Sequence, residues 1–209
     1  MTIDRRVEVI ERSVVFDGFF KLVRYRLRHR RFDGGMSPEL ERELFERGHA
    51  AVVLPYDPLR EEIVLVEQFR LGALEPAGEA WLLEPVAGII EPGETPAEVA
   101  RREAHEEAGL ELQDLVPIGS YFPSPGASSE ICVAYLARID SAGAGGLFGL
   151  ADHGEDVKAH VVPLARALAW LEDGSLRAAS TLITLQWLAL NRSALRARWG
   201  LAPDPGKRA

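Results

Sequence analysis

Hydrophobic and polar positions alternate in several stretches of the chain, and the period changes from two to about 3.6 where helices are expected. From Lys21 to Arg30, Leu22, Val23, Tyr25 and Leu27 interleave with Arg24, Arg26 and Arg28, the pattern of a strand with one charged, wet face. Asp17-Gly18 and Asp33-Gly34-Gly35 supply turn chemistry on either side. Together they predict an N-terminal antiparallel sheet of roughly 45 residues, too small to stand alone and in need of the rest of the chain or a second subunit. His49–Pro55 and Ile63–Arg70 read as strands joined by a turn at Tyr56-Asp57-Pro58-Leu59, and so as a hairpin. Pro76–Glu79 reads as a polar loop, followed by short extended pieces at Trp81–Glu84 and Val86–Ile90. Further strands are expected near Val116–Ser120, Glu130–Ile139 and Lys158–Pro163. Helices are expected over Pro96–Ala108, Leu164–Glu172 and Ser180–Trp199, the last carrying an apolar stripe of Leu182, Leu185, Leu188 and Leu195. Ser141–Gly149 is glycine-rich but lacks the Gly-Lys-Ser/Thr ending of a phosphate-binding loop, so it reads as a flexible connection. No internal repeat is visible, and the mixture predicts an α/β or α+β domain.

Composition narrows the classes. The 209 residues carry 24 Lys and Arg against 32 Asp and Glu, a net charge of −8, with 47% hydrophobic residues. That balance is ordinary for a globular chain. It argues against nucleic acid or anionic membrane as a bulk partner, because both favour basic surfaces. Cys132, the only cysteine, lies in the apolar run Ile131–Leu136 and reads as a packed core thiol. Charges interrupt the N-terminus before a secretory apolar segment can form, and no apolar run approaches the ~20 residues of a membrane span. A cytoplasmic protein is the expectation. The charge is also uneven. Residues 1–35 hold nine basic and five acidic residues, net +4, whereas residues 84–111 hold eight Glu and two Arg, net −6.

The acidic segment contains the informative window, Gly88–Leu110, GIIEPGETPAEVARREAHEEAGL. Thr95 is a good N-cap, Pro96 falls at the first helical position and Glu98 at the third, the makings of a capping box. Gly109 supplies a left-handed stop and Leu110 the apolar contact after it. Ala97, Ala100, Ala104 and Ala108 form a narrow stripe that lets the helix lie close to a sheet. Beside the stripe, Glu103, Glu106 and Glu107 share one flank, where like charges repel. A hard divalent cation would reverse that penalty, since Mg²⁺ prefers carboxylate oxygens. Arg102 reaches Glu106 at i+4. Taken alone, the string reads first as a solvated acidic face with an ordinary ion pair.

The whole window matches Gly-x5-Glu-x7-Arg-Glu-U-x-Glu-Glu-x-Gly-U, with Gly88, Glu94, Arg102, Glu103, Glu106, Glu107 and Gly109 at the seven fixed positions and apolar Ala104 and Leu110 at U. Seven such coincidences have a chance probability on the order of 10⁻⁹ per starting point, so the pattern is not accidental. It resembles the signature of the Nudix hydrolases. The resemblance implies an α/β/α sandwich with mixed sheets, hydrolysis of a nucleoside diphosphate linked to another group, and Mg²⁺ (with Mn²⁺ as a substitute) held chiefly by Glu103 and Glu107 and by the backbone carbonyl of Ala87. Arg102 and Glu106 are then the supporting pair.

Other segments resemble the ADP-ribose pyrophosphatase subfamily. They include Pro125, sixteen residues after Gly109, together with Phe45–Val52, Glu67–Arg70, Gly149–Asp152 through Asp156, and Ala178–Leu188. That likeness implies a homodimer built by the N-terminal sheet (residues 1–48) beside a catalytic domain (49–200), while Pro203, Pro205 and Gly206 mark residues 201–209 as a frayed tail. It also implies a nucleoside diphosphate sugar as substrate. Arg70 would meet phosphate or ribose hydroxyls, Phe20 would stack on adenine, Arg42 would reach the partner's substrate, and Ser124 and Glu130 would bind substrate too. Glu155 resembles a loop glutamate that binds metal. Where relatives place a general-base glutamate two residues earlier, this chain has His153, so the base is either His153 or Glu155. Three functions follow for test: ADP-ribose hydrolysis to AMP and ribose 5-phosphate, hydrolysis of another nucleotide sugar such as GDP-mannose, or a non-catalytic ADP-ribose-binding module.

Overall fold

A computed structural model describes residues 5–149 and 154–202. They divide into two compact units, Met1–His49 with Phe122–Ile131, and Ala50–Tyr121 with Cys132–Ala209.

The first unit is an antiparallel sheet of β1 (Val7–Asp17), β2 (Lys21–His29) and β3 (Leu40–Glu46) in that order. The charged face expected of β2 is present. Arg26 pairs with Glu11 of β1 at 2.9 Å and Arg24 with Glu43 of β3 at 3.3 Å. Exposed pairs of this kind add little stability, but cross-strand neighbours of opposite charge favour one register. Val23 is the single hydrophobic side chain buried in this unit among the described residues, while Val7, Val9, Phe16 and Phe19 are exposed. Phe122–Ile131 joins the sheet through backbone bonds: Phe45 N–H donates to the Ala127 carbonyl at 2.7 Å, and Ser129 N–H donates to that of Phe45 at 3.2 Å.

The second unit is one mixed sheet between helical layers. Its strands are β4 (Ala50–Asp57), β5 (Glu62–Phe69), β6 (Trp81–Glu84), β7 (Val86–Ile89), β8 (Leu115–Tyr121), β9 (Cys132–Arg138), β10 (Gly146–Phe148) and β11 (Val157–Pro163). The main order is β10-β11-β5-β4-β9-β8, with β6 on β5 and β7 on β4. The hairpin of β4 and β5 pairs only beside its turn, at Tyr56–Ile63 and Asp57–Glu62, and then opens so that β7 pairs with β4 and β6 with β5. Strand parity sorts the core. Ala51, Val53, Val64 and Val66 pack on α2 (Pro96–Ala108). Leu54, Tyr56, Ile63 and Leu65 face the opposite layer, α3 (Leu164–Glu172) and α4 (Ala179–Arg198). This is the expected three-layer sandwich. Leu185, Leu188 and Leu195 of the α4 stripe are buried, as is Cys132.

Three local expectations are corrected. Tyr56 and Asp57 belong to β4, because the Tyr56 ring continues the apolar face of Leu54 and is fully buried. The turn comes after them, organised by Asp57 Oδ1 accepting from Leu59 N–H at 2.8 Å and Arg60 N–H at 3.1 Å. The region around Pro76 is not simply a loop, since α1 (Leu71–Ala77) runs through it to a left-handed Gly78. The glycine-rich connection contains β10, whose Phe148 pairs opposite Val157 and packs into the α2-side core. At the far end, Leu201 N–H donates to Arg196 C=O at 2.8 Å and Arg196 Nε to Ala202 C=O at 2.7 Å, so these two residues are tied to α4. The rest of the expected tail, from residue 203, lies outside the described residues.

Candidate active site

The site of the second unit is built by β7, the turn after it, and α2. Helix α2 starts and stops where local chemistry predicts. Thr95 Oγ1 accepts from Glu98 N–H at 3.3 Å, the Glu98 carboxylate accepts from Thr95 N–H at 2.8 Å, and Gly109 adopts φ 62° with its N–H on the His105 carbonyl. Buried Ala100, Ala104 and Ala108 bring the helix onto the sheet, so the carboxylates of its flank are set against β7 and β5.

Arg102 is the hub of that flank. Its guanidinium donates to Glu94 at 3.1 Å, to Glu103 at 2.7 Å and to Glu106 at 3.2 Å. The hydrogen bond to Glu94, and then the charges around it, drive the Arg102 pKa upward. The same bond holds Glu94 below the usual carboxylate range, helped by the N–H of Glu91. Glu103 is shifted the other way. Burial raises its pKa, Arg102 opposes this, and the charges of Glu106 and Glu155 raise it further. A Cβ on Gly88 would lie 1.8 Å from Glu103 Oε1, so the carboxylate occupies the space a side chain on β7 would need.

Glu107 is the most enclosed of the set, only 8% exposed. One oxygen accepts from Ala87 N–H at 3.2 Å and the other from Gln68 Nε2 at 3.3 Å. Burial, with the Ala87 and Gln68 hydrogen bonds opposing and the Glu103 charge adding, pushes its pKa up to about 7. Gln68 shares a parity with Val64 and Val66, so β5 directs it toward the α2 side, while Arg70, in extended backbone just past the end of β5, is the N-cap residue of α1. Arg70 Nε donates to Glu84 Oε2 at 2.6 Å, and its charge lowers the Glu107 pKa. Glu155 follows β10. Gly149, at φ 100°, lets the chain close there, since a Cβ would meet the Glu155 carbonyl at 2.6 Å. His153 lies outside the described residues.

This donor set fits a hard cation. All its candidate donor atoms are oxygens, its carboxylates raise one another's pKa, and glycine leaves room for Glu103. Among the described residues, no three acidic, histidine or cysteine side chains already converge as a coordination shell. Arg102 instead provides the positive charge at Glu103 and Glu106. A cation would therefore draw these carboxylates into a tighter arrangement. Gly88→Ala is expected to displace Glu103 and to reduce metal-dependent turnover and metal affinity by about 10- to 100-fold. Activity measured against metal concentration checks this, and an unchanged activation curve would refute it.

Phe20, Arg42, Ser124 and Glu130 lie in the first unit. The Phe20 ring meets Phe45 edge-on at 5.1 Å, and the Arg47 guanidinium lies 5.6 Å from its centroid. Arg47 also pairs with the largely buried Glu130 at 2.9 Å. Arg42 donates to the backbone carbonyl of Glu41, and the Ser124 carbonyl accepts from Ala127 and Ser128 N–H. Reading the chain without the structure assigned no role to Arg47, Gln68 or Glu84. For Gln68 a signal was available, the alternation of β5 that places it two residues before Arg70. Nothing local marked the other two, whose partners lie 83 residues away for Arg47 and 14 away for Glu84.

Comparison with known proteins agrees with this geometry. A family model described as NUDIX domain matches residues 46–183. The ADP-ribose pyrophosphatase of Escherichia coli (strain K12) is 49% identical over 193 residues, 92% of each chain. The GDP-mannose pyrophosphatase of Citrobacter koseri is 30% identical over 188 residues, 88% of this chain and 95% of that one. A solved structure titled as an ADP compounds hydrolase superposes with a TM-score of 0.66 at 21% identity, covering 91% of this chain and 98% of the other, a likeness of fold.

Proposed function

The chain belongs to the NUDIX family, and on that premise we propose that it hydrolyses the diphosphate of ADP-ribose to AMP and ribose 5-phosphate, with Mg²⁺ as its cation and Mn²⁺ able to substitute. The observation that carries this reading is the 49% identity to an ADP-ribose pyrophosphatase over nearly the whole of both chains, against 30% for a GDP-mannose enzyme. The carboxylates of α2 support hydrolysis rather than mere binding, because a binding module gains nothing from crowding like charges.

Glu103, Glu107, Glu155 and the Ala87 carbonyl are the proposed ligands, and Arg102, Glu94 and Glu106 keep the α2 carboxylates in place. Bound divalent metal would neutralise the diphosphate, polarise a phosphorus–oxygen bond and lower the pKa of a bound water. The chain's own residues supply position and charge. Glu84 fixes Arg70 through Nε, which orients its guanidinium fork toward phosphate or ribose oxygens. A proton from the attacking water passes to His153 or Glu155, the water oxygen bonds to one phosphorus, and the bond from that phosphorus to the bridging oxygen breaks. Phe20 is assigned to adenine, and Arg42, Ser124 and Glu130 to the remaining substrate contacts. A homodimer formed through the N-terminal sheet is supported by the exposed apolar residues of β1 and by the burial of a single hydrophobic side chain among the described residues of that unit. Among the described residues no helix is long and apolar enough to cross a membrane, and we place the enzyme in the cytoplasm, without nucleic-acid or membrane partners.

The test is turnover with Mg²⁺ of ADP-ribose, GDP-mannose, NADH and diadenosine polyphosphates. Preference for ADP-ribose is expected. Clear preference for GDP-mannose would overturn the substrate, and turnover of none would favour the binding module.

A further inference from the structure

Glu107 projects from α2, yet both hydrogen bonds that orient its carboxylate come from the sheet. Ala87 N–H reaches one oxygen at 3.2 Å and Gln68 Nε2 reaches the other at 3.3 Å. The Ala87 donor is backbone and is fixed by the pairing of β7 with β4, opposite Val52. Gln68 is the side-chain half of the clamp. Its own backbone is held on both sides, opposite Leu82 of β6 and Val157 of β11, so its amide issues from a strand with two neighbours rather than from a free edge. A carboxylate offers about four lone-pair directions. One donor on each oxygen fixes the plane of the group while leaving acceptor capacity on both oxygens.

The residue type matters. An amide donates without adding charge. A glutamate at position 68 would add another negative charge to a site where the carboxylates already raise one another's pKa. A lysine or arginine would neutralise Glu107 and compete with a cation. Glutamine is the long neutral donor that holds the carboxylate without doing either.

We propose that Gln68 is a positioning residue that holds the Glu107 carboxylate ready to bind a divalent cation, an inference that rests on the reading of Glu107 as a ligand. Gln68 does not touch the reacting atoms, and its effect passes through Glu107. Its loss should therefore weaken metal binding while leaving substrate recognition alone, as partners behind a ligand commonly do by about 10- to 100-fold.

The experiment titrates Mn²⁺ into the full-length protein, followed by electron paramagnetic resonance of the free ion, for wild type, Gln68→Met, Gln68→Ala and Glu107→Gln. Methionine keeps the length of the side chain and removes the donor. Alanine gives the same reading if methionine packs poorly. The expected result is a Kd for Mn²⁺ raised about 10-fold or more in both Gln68 variants. The Mg²⁺ concentration for half-activation should rise in parallel, while KM for ADP-ribose at saturating Mg²⁺ and the circular dichroism spectrum stay unchanged. A purely structural role would move KM and the spectrum as well, and that result would overturn the proposal. Wild-type Mn²⁺ affinity in both Gln68 variants, with binding lost in Glu107→Gln, would overturn it alone. Wild-type affinity in Glu107→Gln would remove Glu107 from the ligands and take the inference down with it.

Discussion

Glu107→Gln is expected to lower kcat for ADP-ribose by on the order of 10³-fold, the scale reached when one essential charge-stabilising group is removed from an active site. The substitution is nearly isosteric. The remaining carbonyl oxygen still accepts from Ala87 N–H, and the Gln68 amide can rotate to offer its own oxygen to the new NH₂ group. What is lost is the negative charge at the most enclosed position of the set. Glu103 and Glu106 do not replace it, since both are engaged by Arg102. Mg²⁺ titrations of activity, with circular dichroism as the control for folding, check the expectation. Turnover near that of wild type would show that the cation is held elsewhere.

The extent to which the chain discloses its fold follows from how local each determinant is. Helix α2 is legible to the residue because Thr95, Pro96, Glu98 and Gly109 fix its ends through bonds three to six residues long. Its carboxylates are legible as a cluster for the same reason. Their unequal burial is not. Glu107 owes its enclosure to β7 and to Gln68, 39 residues away, whereas Glu106 on the same helix stays open enough to meet Arg102. Gly88 is legible as a required glycine, but only its approach to Glu103 explains the requirement. The misread segments have the same origin. Tyr56-Asp57-Pro58 has turn composition, yet burial of the Tyr56 ring extends the strand. The glycines before Phe148 suggest a loop, yet pairing with β11 makes three of these residues a strand. In the first unit, Arg47 looks like one more surface arginine until its contacts with Phe20 and Glu130 are seen.

Without metal, the protein is expected to lose stability as pH rises from about 4.5 to 7, and Glu107→Gln to remove the share of that loss that Glu107 carries. Burial moves Glu107 from 4.5 to about 7 in the folded state, with the Glu103 charge adding to it. Across this interval the native chain holds a proton that the unfolded chain has released. Stability falls with pH wherever the native state binds more protons, so the contribution is fully present below 4.5 and is lost on passing 7. At about 1.4 kcal/mol per pH unit the displacement corresponds to roughly 3 kcal/mol, a large part of the 5–15 kcal/mol typical of a domain. Glutamine carries no proton to lose. The advantage of the variant over wild type should be small near pH 5 and grow to about 3 kcal/mol by pH 8, although it is the less active protein. Urea denaturation from pH 5 to 8 with a chelator present measures the difference. Saturating Mg²⁺ should narrow it, because the cation stabilises the native state that binds it and so favours wild type. A difference that is flat across pH, or that favours wild type at pH 8 without metal, would mean that the Glu107 carboxylate is not held at the cost its burial implies. The same buried charge that makes the empty site unstable is what gives a cation its reason to bind there, so activity and metal-free stability are expected to change in opposite directions at this one position.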